Sequence, residues 1–141
     1  MFRRVLLCYD GSEQGRRAWR HGAELAILLG SQVSVLAIVP SSLDTAMHLS
    51  RSTGITAFDS EAEHRNILDE SIAWLGARGI TVTAHLIHGD VIDVILDYAK
   101  RLSRDLIVIG QCPKSGATRW WSSAKRASLA ERSNCSVFIY S

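Results

Sequence analysis

The sequence predicts an α/β protein built on a doubly wound, five-stranded parallel β-sheet with helices on both faces. Short apolar runs alternate with longer amphipathic segments from one end of the chain to the other. Most of these runs are continuously apolar, as strands covered on both faces are. The connections between them are long enough to hold a helix, and such strands pair in parallel through right-handed crossovers.

Length and composition predict one globular domain over residues 1–141. Hydrophobic residues make up 47% of the chain and charged residues 21%, which excludes a disordered or collagen-like chain. No apolar run is long enough to span a membrane, and the apolar stretch near the N-terminus is too short for a signal peptide. We therefore expect a cytoplasmic protein. The net charge of +2 gives no reason to expect nucleic acid as a partner.

The first strand is predicted over residues 3–9, an apolar run that stops at the turn Asp10-Gly11-Ser12. Ser12 can cap the helix that follows, and Gly30 fits the end of that helix. Residues 32–39 form the second apolar run, and a proline stops it. These two runs predict the first and second strands.

The middle of the chain predicts a long connection, a second helix and an edge strand. Residues 40–57 are rich in Ser, Thr and Gly, as loops are. Residues 80–87 alternate apolar and polar side chains, which is typical of a strand with one less covered face. The second helix lies between them and ends near residues 76–79. Its predicted apolar stripe consists of Phe58, Ala62, Leu68, Ile72 and Leu75.

The last third of the chain predicts two helices, a buried fourth strand and a final strand. Asp90 is a good cap for a third helix, and residues 105–110 form a fourth buried strand. A helix over residues 120–132 and a strand over residues 136–140 complete the chain. The third helix has the strongest apolar stripe of the sequence, which consists of Val91, Val94, Ile95, Tyr98 and Leu102.

The first candidate functional motif is Asp10-Gly11-Ser12, at the carboxyl end of the first strand. Ligands of doubly wound sheets bind outside the carboxyl ends of strands, where the strand order reverses. An aspartate there can hydrogen-bond a ribose or a base, and the N-terminus of the next helix attracts phosphate. A simple turn followed by a helix cap explains the same three residues, so the motif alone leaves both interpretations open.

The loop that follows the fourth strand is the second candidate. Gly110 and Gly116 give it flexible positions from which backbone N–H groups can reach phosphates, whereas Pro113 has no N–H to offer. Neither common phosphate-loop motif is present. Residues 111–141 carry five basic side chains and one acidic side chain. This excess fits either a solvated basic helix or a site for an anion.

Cysteine and histidine usage gives no metal site and no catalytic group. The three cysteines are an odd number without a close pair, which argues against a disulfide framework and against zinc. The five histidines are scattered. Cys112 lies before a basic helix, and its reactivity is left open. We expect a protein that is not an enzyme, with weak nucleotide hydrolysis as an alternative, because no positioned base or metal pair is evident.

The chain resembles the universal stress protein family over essentially its whole length. The order and spacing of five pieces carry the resemblance, and these pieces are residues 5–12, 23–26, 35–40, 88–90 and 105–110. The resemblance implies a fold like that of the adenine nucleotide alpha hydrolases, with strand order 3-2-1-4-5. It also implies a homodimer formed through the last strand, here Val137, Phe138, Ile139 and Tyr140.

The resemblance further implies a test for ATP binding. Members that bind ATP carry Gly-x2-Gly-x9-Gly-Ser/Thr after the fourth strand. Placed on this chain without gaps, the motif falls on Gly110, Pro113, Ser123 and Ala124, so only its first glycine is present. The part of the nucleotide site that depends on Asp10 and on the backbone near Ile38 is retained. The resemblance therefore implies weak or lost ATP binding.

These observations give one candidate pocket for a nucleotide or another anion, and two hypotheses for function. The first is a dimeric stress-response or regulatory protein that acts through contacts with an unidentified protein partner and needs no cofactor. The second is a sensor of ATP, AMP or another anion with a remodelled phosphate loop. The candidate pocket consists of Asp10, Ser12, Ile38, Gly110, Gly116, Arg119 and Ser123.

Overall fold

The computed structural model describes residues 2–9, 13–40, 57–110 and 123–140. In chain order its elements are β1 (Arg4–Tyr9), α1 (Glu13–Leu29), β2 (Gln32–Pro40), α2 (Ala57–Gly76), β3 (Val82–Gly89), α3 (Val91–Arg101), β4 (Leu106–Gly110), α4 (Ser123–Arg132) and β5 (Ser136–Tyr140). None of the helices in these ranges is long and apolar enough to cross a membrane.

The five strands form one all-parallel sheet in the order β3-β2-β1-β4-β5. This order confirms the doubly wound sheet and the strand order 3-2-1-4-5. The observed bounds of β5 match the predicted strand, whereas β3 lies two residues further along the chain than predicted. The edge position predicted for β3 is confirmed, since its partner in the described sheet is β2 alone.

Two hydrophobic layers cover the two faces of the sheet. Leu7 and Tyr9 of β1 face one layer, where they meet Trp19 of α1 and residues of α2. The side chains between them in β1, such as Leu6, face the other layer, which α3 and α4 cover with side chains such as Ile95. Helices on both faces explain why the central strands are apolar throughout.

Asp105 ties together the beginnings of three strands. Its carboxylate accepts hydrogen bonds from the backbone N–H groups of Arg3 at 2.9 Å and Arg4 at 3.0 Å. Its own backbone N–H donates to the carbonyl of Arg4, and its carbonyl accepts from Ser136. The prediction that Asp105 opens the fourth strand was wrong by one residue, because β4 begins at Leu106.

The buried face of α2 differs from the predicted apolar stripe. Ala62 and Ile72 are exposed, whereas two polar residues of the same helix, His64 and Ser71, are buried. The Ser71 hydroxyl donates to the carbonyl of Ile67 one turn earlier, at 2.5 Å, which satisfies it inside the core. The apolar pattern misplaced the stripe because it counted neither polar residue.

Three helices end in the same left-handed turn, in which an N–H bonds to the carbonyl five residues earlier. At the end of α1 the left-handed residue is Gly30, with φ of 64°, so the predicted end of that helix is confirmed. At the end of α2 it is Gly79, with φ of 76°. At the end of α3 it is Ser103, with φ of 49°. The three hydrogen bonds run from Ser31 to Ala26, from Ile80 to Leu75 and from Arg104 to Ala99.

Gly22 sets the distance between α1 and the sheet. A Cβ atom at this position would lie 2.8 Å from Leu7 Cδ2 and 2.8 Å from Val108 Cγ1. Leu7 belongs to β1 and Val108 to β4, and these two residues are neighbours in the strand register. The helix therefore lies directly over the junction of β1 and β4, at a distance that only glycine permits.

Candidate functional site

The strand order reverses at β1, which has β2 on one side and β4 on the other. The register aligns Tyr9 with Ala37 of β2. It also aligns Leu7 with Val108, and two more residues along both strands bring Tyr9 level with Gly110. The last residues of β1 and β4 thus lie at the same edge, where sheets of this type bind ligands. Asp10 follows Tyr9 directly in the chain.

The structure places three of the seven predicted site residues. Gly110 is the last residue of β4 and aligns with Tyr140 of β5. Ile38 lies one residue beyond the partner of Tyr9, and Ser123 is the first residue of α4. Strand topology thus brings Gly110 and Ile38 to the same edge of the sheet. The other four predicted site residues lie outside the described ranges, and they are Asp10, Ser12, Gly116 and Arg119. The loop positions Cys112 and Pro113 also lie outside these ranges.

The side chain of Ile38 is fully buried in the layer beneath α3. Its relative exposure is 0%, and its cluster includes Leu36 and Ile92. An apolar side chain enclosed in this way offers nothing to a polar ligand. Any contribution of Ile38 to a nucleotide pocket therefore comes from its backbone, as the resemblance implied.

A tyrosine and a histidine meet beside the end of β1. The rings of Tyr9 and His64 lie 5.3 Å apart between centroids and are tilted by 59°. Both side chains are buried, and His64 reaches the strand from α2. Sequence reasoning grouped His64 with the scattered histidines. Its helical spacing from Leu68, Ser71 and Leu75 is the signal that could have placed it on the inner face of α2.

Charged residues frame the edge where β3 ends. His88 Nε2 lies 3.7 Å from Glu61 of α2, and the other oxygen of that carboxylate lies 3.1 Å from Arg65. At the start of α3, the Asp90 side chain accepts a hydrogen bond of 3.1 Å from the backbone N–H of Asp93. The His88 contact joins the end of β3 to α2, although exposed ion pairs of this kind add little stability.

The described residues contain no cluster of three potential metal ligands. Cys8 is buried in β1, and its pKa is raised well above the ordinary value by desolvation and by the nearby Cys135. The pKa of Cys135 is also raised, first by burial and then by Asp105. Both side chains are therefore neutral thiols at pH 7, and neither is an activated nucleophile.

The sequence matches the model of the universal stress protein family over residues 1–141. The chain belongs to the universal stress protein family. The resemblance to this family that the sequence indicated is therefore confirmed, and so is the fold that the resemblance implied. A search of curated proteins found no match.

Solved structures of the family share its fold. The universal stress protein UspA from Lactobacillus plantarum is 17% identical, with a TM-score of 0.78 and coverage of 99% of this chain and 98% of that one. A universal stress protein from Archaeoglobus fulgidus in complex with dAMP is 21% identical, with a TM-score of 0.64 and coverage of 100% and 98%. An Arabidopsis thaliana family protein with AMP bound is 15% identical, with a TM-score of 0.64 and coverage of 98% and 90%.

Proposed function

We propose that this universal stress protein family member is a dimeric stress-response or regulatory protein that acts through protein contacts and binds ATP weakly or not at all. The observation that carries the proposal is the exposed apolar edge of β5. Phe138 is 42% exposed and Ile139 38% exposed on a strand at the end of the sheet. Val137, between Ser136 and Phe138, packs into the layer beneath α4 instead.

The outer edge of β5 is not covered by any other part of the chain that the structure describes. In the described sheet β5 pairs with β4 alone, so its other side presents unpaired backbone N–H and C=O groups. Exposed apolar edge strands of this kind promote association with another strand. A second copy of the same edge, related by a two-fold axis, would pair these backbone groups and bury Phe138 and Ile139.

The opposite edge of the sheet is built differently. On β3, Thr83 and His88 are exposed and polar, and His88 contacts Glu61 of the neighbouring helix. Polar and charged side chains protect an edge strand from pairing with another chain. The contrast between the two edges supports β5, and not β3, as the dimer interface.

The dimer is tested by light scattering at micromolar concentration with a matched pair of variants. Phe138→Asp places a charge on the proposed interface, and the expected result is a monomer. Ile72→Asp is the control, since Ile72 is 46% exposed on α2, which packs near β2 and β3. Its dimer should be unaffected. A monomeric wild-type protein, or equal effects of both substitutions, would contradict the proposal.

The proposal of weak ATP binding rests on the loop after β4. Pro113 cannot donate a backbone hydrogen bond, and Ala124 has no hydroxyl group. Charge-assisted hydrogen bonds of this kind contribute about 1.5–3 kcal/mol each, so two losses weaken binding by roughly two powers of ten or more. The corresponding dissociation constant for Mg-ATP is about 100 µM or higher. Calorimetry measures it directly, and low-micromolar binding would refute this part of the proposal.

The alternative function is a sensor of AMP, ATP or another anion. Two observations favour it: the structural neighbours from A. fulgidus and A. thaliana contain dAMP and AMP, and this chain retains Asp10 and Gly110. Mass spectrometry of the ligand carried by freshly purified protein distinguishes the two functions. A bound nucleotide supports the sensor, and an empty protein supports action through protein contacts. Neither function requires a catalytic residue, and both fit a cytoplasmic protein.

A further inference from the structure

A cleft of about 400 Å³ lies at the amino edge of the sheet, away from the candidate nucleotide site. It opens between the end of α3 and the connection from α4 to β5, with Arg104 and Asn134 among its lining residues. Arg104 lies six residues before Gly110, the last residue of β4. At about 3.3 Å per strand residue, the cleft and the carboxyl edge are roughly 20 Å apart.

Three basic side chains line this cleft, namely Lys100, Arg104 and Arg132, and its described lining contains no carboxylate. Lys100 and Arg132 lie in the last turns of α3 and α4, where a cation complements the helix dipole. Arg132 also contacts Asp93 at 3.2 Å. Helix termini therefore account for two of the three charges. They do not account for Arg104, which lies beyond the end of α3.

The guanidinium group of Arg104 is partly desolvated and lacks a bonded counter-charge. Its Nε and Nη1 atoms are buried and make no hydrogen bond to any residue that the structure describes. Burial lowers the pKa of Arg104, nearby Arg4 lowers it further, and Asp105 opposes both effects. Both carboxylate oxygens of Asp105 accept hydrogen bonds from the start of β1. A guanidinium group that loses part of its hydration without gaining hydrogen bonds at Nε and Nη1 is less favourable than one in water.

The backbone holds Arg104 in this position. Its N–H donates to the carbonyl of Ala99 at 2.9 Å, in the left-handed turn formed by Ser103. Ser103 takes a positive φ that serine rarely adopts. The turn that ends α3 thus holds Arg104 at the wall of the cleft, where Ala99 and Leu96 supply an apolar surface.

We propose that this cleft binds a small oxyanion, a phosphate or carboxylate group, with Arg104 as its main contact and Lys100 as a second cation. An anion there supplies the missing counter-charge, and the side chains of Ser103 and Asn134 add hydrogen-bonding groups to the lining. The volume is at the lower end of the range for small-molecule sites, so the ligand class is a small phosphorylated or carboxylated compound. This site is independent of the nucleotide proposal because it lies at the other edge of the sheet.

The first test is an NMR titration of backbone amides with sodium phosphate or sodium acetate, at an ionic strength held constant with sodium chloride. Saturable shifts are expected at Ser103, Asn134 and Cys135, and the anion that saturates at the lower concentration identifies the preferred group. In Arg104→Met the dissociation constant should rise at least about tenfold. Arg101→Met is the control, because Arg101 is exposed, contacts Asp97 and lies outside the described lining. Shifts confined to Tyr9 and Gly110 would overturn the proposal.

The second test uses stability and does not depend on assigned spectra. Phosphate or acetate should raise the urea midpoint of the wild-type protein and leave that of Arg104→Met unchanged. Without an anion, Arg104→Met should be at least as stable as the wild type, because it removes a partly desolvated charge whose Nε and Nη1 atoms make no hydrogen bond among the described residues. If the Met variant does not fold, Arg104→Lys retains the charge and should bind more weakly. Equal stabilisation of wild type and variant by the anion would refute the site.

Discussion

Gly22→Ala tests whether α1 lies as close to the sheet as its contacts require. The added methyl group would lie 2.8 Å from Leu7 Cδ2 and equally close to Val108 Cγ1. Leu7 and Val108 are 0% and 1% exposed, so neither side chain can move into solvent. Overpacking of this kind costs about 1–3 kcal/mol, against a gain in helix propensity of up to about 1 kcal/mol. We expect a net loss of about 1–2 kcal/mol in the free energy of unfolding.

Urea denaturation followed by tryptophan fluorescence measures this loss. Trp19 and Trp74, whose ring centroids are 5.8 Å apart, report on the packing of α1 against α2. Gly76→Ala is the matched control, since no atom lies within 4 Å of its added Cβ and its φ is not left-handed. That variant should be neutral or more stable by up to about 1 kcal/mol. If Gly22→Ala is as stable as Gly76→Ala, the close approach of α1 to the sheet is wrong.

Three further predictions concern the loop, a helix end and pH. The triple variant Pro113→Gly, Ser123→Gly and Ala124→Ser restores the family motif. It should lower the dissociation constant for Mg-ATP at least about tenfold, as measured by calorimetry. An unchanged affinity would place the obstacle outside the loop. Ser103→Gly should raise the free energy of unfolding by about 1 kcal/mol in urea titrations, because glycine accepts the left-handed φ without strain; a decrease would contradict the turn. Desolvation and Arg104 lower the pKa of His85 below 6.5. As the pH falls below about 6.5, His85 is protonated in the unfolded chain more readily than in the folded chain. The free energy of unfolding therefore decreases as the medium is acidified. His85→Gln should flatten the dependence of the free energy of unfolding on pH between about 7 and 5, and an unchanged slope would contradict the burial of His85.

The central strands could be predicted because burial on both faces produces continuous runs of apolar residues. The runs of β1, β2 and β4 are largely apolar at successive positions, as strands covered on both faces are. The alternation of apolar and polar residues in β3 indicated an edge strand, because one face of such a strand is less covered. The order 3-2-1-4-5 came from the resemblance to the family, since right-handed crossovers alone permit several orders.

The faces of the helices were harder to predict because single polar residues can be buried when they are satisfied locally. Ser71 does this within its own helix, whereas His64 is buried with its ring packed against the ring of Tyr9. In α1, Leu29 at the last turn is partly exposed, whereas the smaller Ala23 and Ala26 are buried. At Gly22 the helix lies so close to the sheet that a Cβ atom would be 2.8 Å from Leu7 Cδ2, whereas Trp19, one turn earlier, is buried on the same face. Side-chain hydrophobicity does not encode that distance.

The position of the candidate nucleotide site followed from strand ends, but the cleft at Arg104 did not follow from any sequence pattern. A basic residue after a helix is ordinary, and sequence alone does not show that its donors are buried. The burial of Arg104 depends on a turn at Ser103, and its electrostatics depend on Arg4, a hundred residues earlier in the chain. Such features arise only when distant segments are brought together.

The packing of Gly22 connects the stability of the fold to the candidate nucleotide site. Because Gly22 touches both β1 and β4, α1 lies over the junction where the strand order reverses, and its N-terminus is directed to the carboxyl edge of the sheet. The attraction of a helix N-terminus for phosphate is confined to the first turn of the helix, so a shift of α1 by a fraction of a turn changes the field at that edge. Gly22→Ala should therefore weaken any nucleotide binding together with stability, although Gly22 lies on the inner face of the helix. The Arg104 cleft should not respond, because it lies beneath α3, on the other face of the sheet.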